Sequence, residues 1–246
     1  MFSIFKKDKT SLTTIFPENF VDIHSHLLPG IDDGAKTMDA SVALIQRMRG
    51  YGIQNFVTTP HIMEDVWDNT PSIIQGKLKE LTAHLKSIGI TDVHIRAAAE
   101  YMLDGNFNVL LKNKKLLTVK DRFLLIEISY LNPPLNLYEI LFNIQIEGYT
   151  PILAHPERYG FYHGNDHEYQ KLKDAGCLFQ LNLLSLSNYY GKPVNQIALQ
   201  LLKENRYDFV ATDTHHERHL DFLEKITDKK TLKLVGPLLE KNALLL

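Results

Sequence analysis

Phe20-Val21-Asp22-Ile23-His24-Ser25-His26 begins as an apolar strand and ends as a pair of imidazoles, and this change of character recurs along the chain. In an extended segment, residues two apart face the same side, so His24 and His26 can grip one ion. Working downstream, short apolar runs suggest strands over 20–24, 55–59, 93–99, 123–128, 151–154, 177–181 and 208–211. Helical periodicity falls between them, over 38–51 (capped by Thr37), 73–88 (stopped by Gly89), 137–147, 167–175 (ending at Gly176) and 195–205, with two short helices expected at the end. Strands alternating with helices of about 10–15 residues argue for βα units around a parallel sheet. Seven such units suggest a barrel more than an open sheet, and in βα barrels chemistry gathers where the strands end.

The polar residues sit at those ends. After His24 and His26 comes Asp32-Asp33-Gly34. The second strand runs into Pro60-His61, and the third ends at Glu100. The fourth carries Glu127 inside an apolar run, the fifth reaches His155-Pro156-Glu157-Arg158, and the seventh reaches Thr212-Asp213-Thr214-His215. Taken singly, most of these have simpler readings. A His-x-His pair can be a surface feature, Asp32-Asp33-Gly34 can be only a turn, and Arg158 can simply pair with Glu157. Glu127 is harder to dismiss, because a carboxylate in a buried run is costly unless paired or bound to metal. Together they describe a metal cluster at one end of a sheet. With carboxylates, imidazoles and a single thiol, it is not a thiolate zinc site. It has too many ligands for one tetrahedral ion, so two or three bridged ions fit better. Mixed N/O ligation suits Mn, Fe or Zn without choosing among them. Such clusters generate hydroxide near neutral pH and neutralise phosphate oxygens, the chemistry of a phosphoesterase.

Composition limits the rest. A chain of 246 residues, 44% hydrophobic and 23% charged, suits one globular domain without disulfides, with 1–18 expected to be a peripheral N-terminal segment. A net charge of −2 with no basic run argues against a nucleic-acid partner. The single cysteine, Cys177, fits a reducing compartment, and no apolar stretch is long enough for a signal peptide or a spanning helix, so a cytoplasmic location is expected. Cys177 also lacks the arginine six residues on that a cysteine-dependent tyrosine phosphatase needs, since Leu183 stands there, and it reads as a core residue. There is no Asp-x-Asp strand end and no Walker A motif, so aspartyl-phosphate and ATPase routes are set aside. Tyr159, Tyr189 and Tyr190 read as packing or rim residues; His163, His167, His216 and His219 read as solvated or supporting.

The motif set Asp22-Ile23-His24-Ser25-His26-Leu27-Leu28-Pro29-Gly30-Ile31-Asp32-Asp33-Gly34-Ala35, Thr59-Pro60-His61, Ala99-Glu100, Leu125-Ile126-Glu127, Ala154-His155-Pro156-Glu157-Arg158-Tyr159 and Thr212-Asp213-Thr214-His215 resembles the PHP (polymerase and histidinol phosphatase) family. Within that family it is similar to the tyrosine phosphatases of bacterial capsule and exopolysaccharide operons, the CpsB/YwqE type. The resemblance implies a distorted (β/α)7 TIM-like barrel holding three divalent ions, manganese first, with iron or zinc as alternatives. By motif position, His24, His26, Glu100 and Asp213 would serve one ion. Glu127 and His155, with Glu100 bridging, would serve a second, and Asp33, His61 and His215 a third. Arg158 would bind substrate phosphate. Arg218 is the candidate for a second phosphate-binding arginine, at a shorter spacing than the family pattern. The implied substrate is a phosphotyrosine protein, a bacterial tyrosine kinase of polysaccharide synthesis. A small-molecule phosphatase such as a histidinol phosphatase, a PHP-type nuclease and a metal-binding regulator without turnover are the rival readings.

Overall fold

In a computed structural model, residues 10–114 and 116–246 are described; residues 1–9 of the expected peripheral segment lie outside them. From Leu12 onward the chain is docked: Leu12 is fully buried and its N–H donates to the Ile226 carbonyl at 2.9 Å.

Among the described residues nine strands are present: β1 (Val21–Asp22), β2 (Asn55–Thr58), β3 (His61–Ile62), β4 (His94–Ala97), β5 (Glu100–Met102), β6 (Phe123–Glu127), β7 (Thr150–Ala154), β8 (Leu178–Asn182) and β9 (Phe209–Ala211). Two of these, β3 and β5, are short strands just beyond the expected second and third ones. Pro60 has no N–H to give a ladder, so pairing breaks between β2 and β3. It breaks alongside between β4 and β5, where the Glu100 N–H bonds to the Pro60 carbonyl at 3.1 Å. All pairings between these strands are parallel. The order is β1-β2-β4 in one sheet and β3-β5-β6-β7-β8-β9 in the other. Beyond β1 and β9 the chain pairs again: the Asp213 N–H bonds to the His24 carbonyl at 2.8 Å, and the His26 N–H to the Thr214 carbonyl at 2.9 Å.

The eight α-helices among the described residues are α1 (Met38–Gly50), α2 (Pro71–Ser87), α3 (Gly105–Lys112), α4 (Leu137–Ile146), α5 (Asp166–Asp174), α6 (Lys192–Lys203), α7 (Glu217–Leu223) and α8 (Lys229–Lys241). Thr37 caps α1 through the Ala40 N–H, and Thr70 caps α2 ahead of Pro71. The α3 helix was not anticipated; Asp104 caps it through the Phe107 N–H at 3.0 Å. Pro193 in its first turn starts α6 three residues earlier than the periodicity suggests.

Alternation along the strands divides the apolar residues between two clusters. Leu124, Ile126, Leu153, Phe179, Leu181 and Val210 pack with the helices. Val21, Ile23, Val57, Leu125, Ile152, Ala154 and Ala211 form the second cluster, joined by Leu245 from the C-terminus. The end of the chain is held there by polar bonds. The fully buried Asn242 side chain donates to the Val21 and Val210 carbonyls and accepts the Val210 N–H, and Arg96 donates to the Leu245 carbonyl at 2.8 Å. Leu245→Ala is expected to cost about 2–4 kcal/mol of stability, by lost burial and a residual cavity. Asn242→Ala is expected to cost ~1–3 kcal/mol, by stranding buried backbone groups. Urea unfolding curves measure both; an unchanged midpoint in either variant would refute that role for the C-terminal segment.

Candidate active site

The candidate residues meet where the strands end. His24 and His26 follow β1, and His61 begins β3. Glu100 begins β5 in register with His61, and Glu127 ends β6. His155 follows β7, with Arg158 in the 3-10 turn Pro156–Arg158, while Asp213 and His215 follow β9. His155 and Asp213 adopt left-handed backbone, with φ of 37° and 49°, a conformation that costs non-glycine residues energy and recurs at functional sites.

Hydrogen bonds orient the first two imidazoles. His24 Nδ1 lies 2.9 Å from Gln180 Oε1, whose own amide N–H is fixed on the Leu181 carbonyl. His26 Nδ1 lies 2.7 Å from Asp32 Oδ2. Each Nδ1–H therefore donates outward and leaves Nε2 as a lone pair. The two Nε2 atoms face each other at 3.3 Å. Around the same point, Glu100 Oε2 lies 3.1 Å and 3.5 Å from them, and Asp213 Oδ1 lies 3.2 Å and 3.5 Å. Two lone pairs and two carboxylate oxygens converging in a buried volume call for positive charge at their centre.

The neighbouring groups extend the pattern. His155 Nε2 meets Glu100 Oε1 at 3.0 Å, and His61 Nδ1 lies 2.8 Å from Glu127 Oε1 and 3.2 Å from Glu100 Oε2. Asp33 Oδ1 lies 3.4 Å from His61 Nε2 and 3.3 Å from His215 Nε2. The sets that could hold a metal ion are thus His24/His26/Asp213, His24/Glu100/His155, His61/Glu100/Glu127 and His26/Asp33/His61/His215. All nine expected ligand residues lie in them. His61 faces both the Glu127 group and the Asp33 group, whereas motif position assigns it to one.

The electrostatics agree with this donor set. Burial disfavours an imidazolium at His24, yet Glu100 and Asp213 outweigh it and raise its pKa; Asp32 does the same for His26, and Glu100 with Glu127 for His61. Burial likewise opposes ionised Asp213, but His24 and His215 outweigh it and hold that carboxyl well below its usual range. The cluster recruits protons to balance its carboxylates, and a divalent cation would displace them. His155 differs, because burial and nearby Arg158 lower its pKa to about 4 and keep it a neutral ligand. The buried Asp213 Oδ1, which faces the two imidazoles, has no hydrogen-bond partner among the described residues, as expected of an atom meant for a cation. The residues present therefore fit bound metal.

Arg158 does not pair with Glu157. Its Nη1 donates to Asp213 Oδ2 at 3.1 Å, while the buried Glu157 accepts from the Asn182 N–H, Ser185 Oγ and Tyr207 OH. Arg158 lines a cavity of about 370 Å3 together with Asp33, His61, His155, Asp213 and His215 and with Tyr130, Tyr189 and Tyr190. The structure does not bring Arg218 into that cavity: it is exposed at the rim, its guanidinium carbon 5.9 Å from the Tyr189 ring. His219 is buried, with Nδ1 3.2 Å from the Asp213 carbonyl. His216 lines the cavity but is exposed, and His163 bonds the Glu157 carbonyl. Gln180, Asn182, Tyr130 and the orienting role of Asp32 were missed; Gln180 and Asn182, two apart in a strand, repeat the spacing of His24 and His26.

Two outcomes follow. Asp32→Ala removes the partner of His26 Nδ1 and is expected to weaken divalent-metal binding about 10–100-fold; calorimetric titration with manganese reads this, and wild-type affinity would refute it. Burial pushes the Cys177 thiol up to about 12, so only about one molecule in ten thousand is thiolate at pH 8. Iodoacetamide should therefore leave both Cys177 and turnover unaltered over hours, as read by mass spectrometry and assay; rapid alkylation with loss of activity would contradict the burial.

Comparisons with known proteins show what the chain is similar to. A family model described as capsular polysaccharide synthesis, CpsB/CapC, matches residues 20–232. Tyrosine-protein phosphatase YwqE of Bacillus subtilis is 29% identical over 203 residues, covering 82% of this chain and 80% of its own. Tyrosine-protein phosphatase CpsB of Streptococcus pneumoniae is 30% identical over 204 residues, covering 80% and 83%. A crystal structure from the work on YwqE of Bacillus subtilis and CpsB of Streptococcus pneumoniae, described as unique metal-dependent tyrosine phosphatases, superposes with a TM-score of 0.74 at 28% identity, covering 90% of this chain and 94% of its own.

Proposed function

This chain belongs to the CpsB/CapC family, and we propose that it is a metal-dependent protein-tyrosine phosphatase of capsular or exopolysaccharide synthesis. The observation that carries the reading is the convergence of His24 Nε2, His26 Nε2, Glu100 Oε2 and Asp213 Oδ1 on one buried point beside Arg158. His24, His26, Glu100 and Asp213 would hold one ion, Glu127 and His155 with Glu100 a second, and Asp33, His61 and His215 a third. The donor set suits manganese, iron or zinc alike, and the family resemblance puts manganese first. Divalent ions held there would supply Lewis acidity toward the phosphoryl oxygens and toward a water nucleophile.

The chain's own groups do the remainder. Arg158 presents a planar fork to the phosphoryl oxygens while Asp213 holds one end of it. Arg218, exposed beside Tyr189, would reach the phosphate only from outside the cavity. The leaving group, a tyrosine phenolate, has a conjugate acid pKa of about 10 and departs with little help from a protein acid. The substrate would be a phosphotyrosine protein, a tyrosine kinase of polysaccharide synthesis. The relatives' activities favour this over a histidinol phosphatase or a nuclease. Continuity of β2 into β3 and β4 into β5, with the bonds joining the β1 and β9 extensions, supports a distorted (β/α)7 barrel forming a single domain over the described residues. Among the described residues no helix is long and apolar enough to cross a membrane, and with one buried cysteine we place the protein in the cytoplasm.

The test is turnover of a phosphotyrosine peptide and of histidinol phosphate by manganese-loaded protein, chelator-treated protein and His155→Ala. Manganese-dependent turnover of the peptide, abolished by chelator and reduced at least about 100-fold in the variant, is expected. Turnover of histidinol phosphate alone would overturn the substrate, and activity surviving complete chelation would overturn the mechanism.

A further inference from the structure

Tyr130 follows β6, Arg158 follows β7 and Tyr190 follows β8, and these three strands are neighbours in that order. Loops on either side of Arg158 therefore each deliver one tyrosine to it. The guanidinium carbon lies 4.8 Å from the Tyr130 ring centre and 4.0 Å from that of Tyr190, within the range of cation–π attraction. Tyr190 is tied back into the same network. The Asn182 side chain donates to the Tyr190 hydroxyl at 3.2 Å and to Asp213 Oδ2 at 2.7 Å, the oxygen that Arg158 Nη1 also reaches. The result is a closed circuit of Arg158, Asp213, Asn182 and Tyr190, with Tyr130 against the guanidinium from the neighbouring loop.

Among the described residues, Asp213 is the sole protein acceptor for the Arg158 side chain. Its Nε and Nη2 donors remain for a ligand in the cavity that Arg158, Tyr130 and Tyr190 line together. A guanidinium on a flexible stem loses side-chain entropy when it binds phosphate, unless it is already held. Flat aromatic faces restrain such a group without occupying any of its N–H donors, which a second carboxylate would not do.

We propose that Tyr130 and Tyr190 are positioning residues that clamp the Arg158 guanidinium and aim its unpaired donors at the phosphoryl oxygens of the substrate. The proposal rests on the phosphatase reading given above. Because Tyr130 also stacks on His155, with ring centres 5.9 Å apart, the test must separate an effect through Arg158 from one through the metal cluster.

The experiment uses manganese-loaded full-length protein as wild type, Tyr130→Leu, Tyr190→Leu, Tyr190→Phe, Arg158→Ala and each leucine variant combined with Arg158→Ala. Manganese content and melting temperature are recorded, inorganic phosphate binding is measured by calorimetry, and turnover is measured with p-nitrophenyl phosphate and a phosphotyrosine peptide. Each leucine variant should keep its metal, weaken phosphate binding about three- to tenfold, and lower kcat/KM by a similar factor. Tyr190→Phe should recover most of what Tyr190→Leu loses. Neither leucine substitution should add to the Arg158→Ala defect, since the tyrosines act through that arginine. Unchanged phosphate affinity in the leucine variants, losses that multiply with that of Arg158→Ala, or loss of metal would each overturn the clamp. Wild type that binds phosphate without turnover would defeat the phosphatase reading while the calorimetric series still decides the clamp. Wild type that binds no phosphate would defeat both.

Discussion

Glu100 is 1% exposed and touches four imidazoles: His24 and His61 at Oε2 within 3.2 Å, His26 at 3.5 Å, and His155 at Oε1. A carboxylate in that position is tolerable only with compensating positive charge, and Glu127 and Asp213 make the same demand within the same few ångströms. The histidines respond by taking up protons, but two lone pairs aimed at each other across 3.3 Å are better satisfied by a cation than by one shared proton. The rest of the site is arranged around that need. Gln180 and Asp32 fix the imidazole tautomers from behind, and Asn182 and Arg158 share Asp213 Oδ2 so that its other oxygen faces the cluster.

The fold meets this demand by ending its strands at one level and bending the chain sharply there. Pro60 ends the second strand so that His61 starts a new ladder in register with Glu100. His155 turns into left-handed backbone directly after β7, and Asp213 does so two residues after β9. Strain of this kind is sustained by the packing beneath it, where Leu125, Ile152 and Ala154 fill the interior and Leu245 and Asn242 secure the opposite end. Gly34 belongs to the same logic, since a Cβ there would collide with His26.

Much of this was legible in the residues because charge at the end of an apolar run is a costly pattern and therefore an informative one. The strand period alone predicts that His24 and His26 share a face, and their Nε2 atoms do meet. The supporting groups were harder to see. Gln180 and Asn182 carry no charge, and in Phe179-Gln180-Leu181-Asn182 their alternation looks like an ordinary half-polar strand. Tyr130 and Tyr190 earn their place only through which loops are neighbours, a property of the strand order. Sequence adjacency misleads in the other direction at Glu157-Arg158, where the two side chains diverge to different partners. The α3 helix is only eight residues long, and Asp104 before Gly105 reads as a turn as easily as a cap. The second and third strands could be placed, but not the resumption of pairing at β3 and β5, because His61-Ile62 and Glu100-Tyr101-Met102 are too short to show a strand period.

The most direct test of the account is an anomalous difference map from crystals grown with manganese, recorded on both sides of the manganese edge. The account predicts peaks bounded by His24, His26, Glu100 and Asp213, by Glu100, Glu127 and His155, and by Asp33, His61 and His215. Saturating manganese with no peak among these nine side chains, or peaks only elsewhere on the protein, would contradict it.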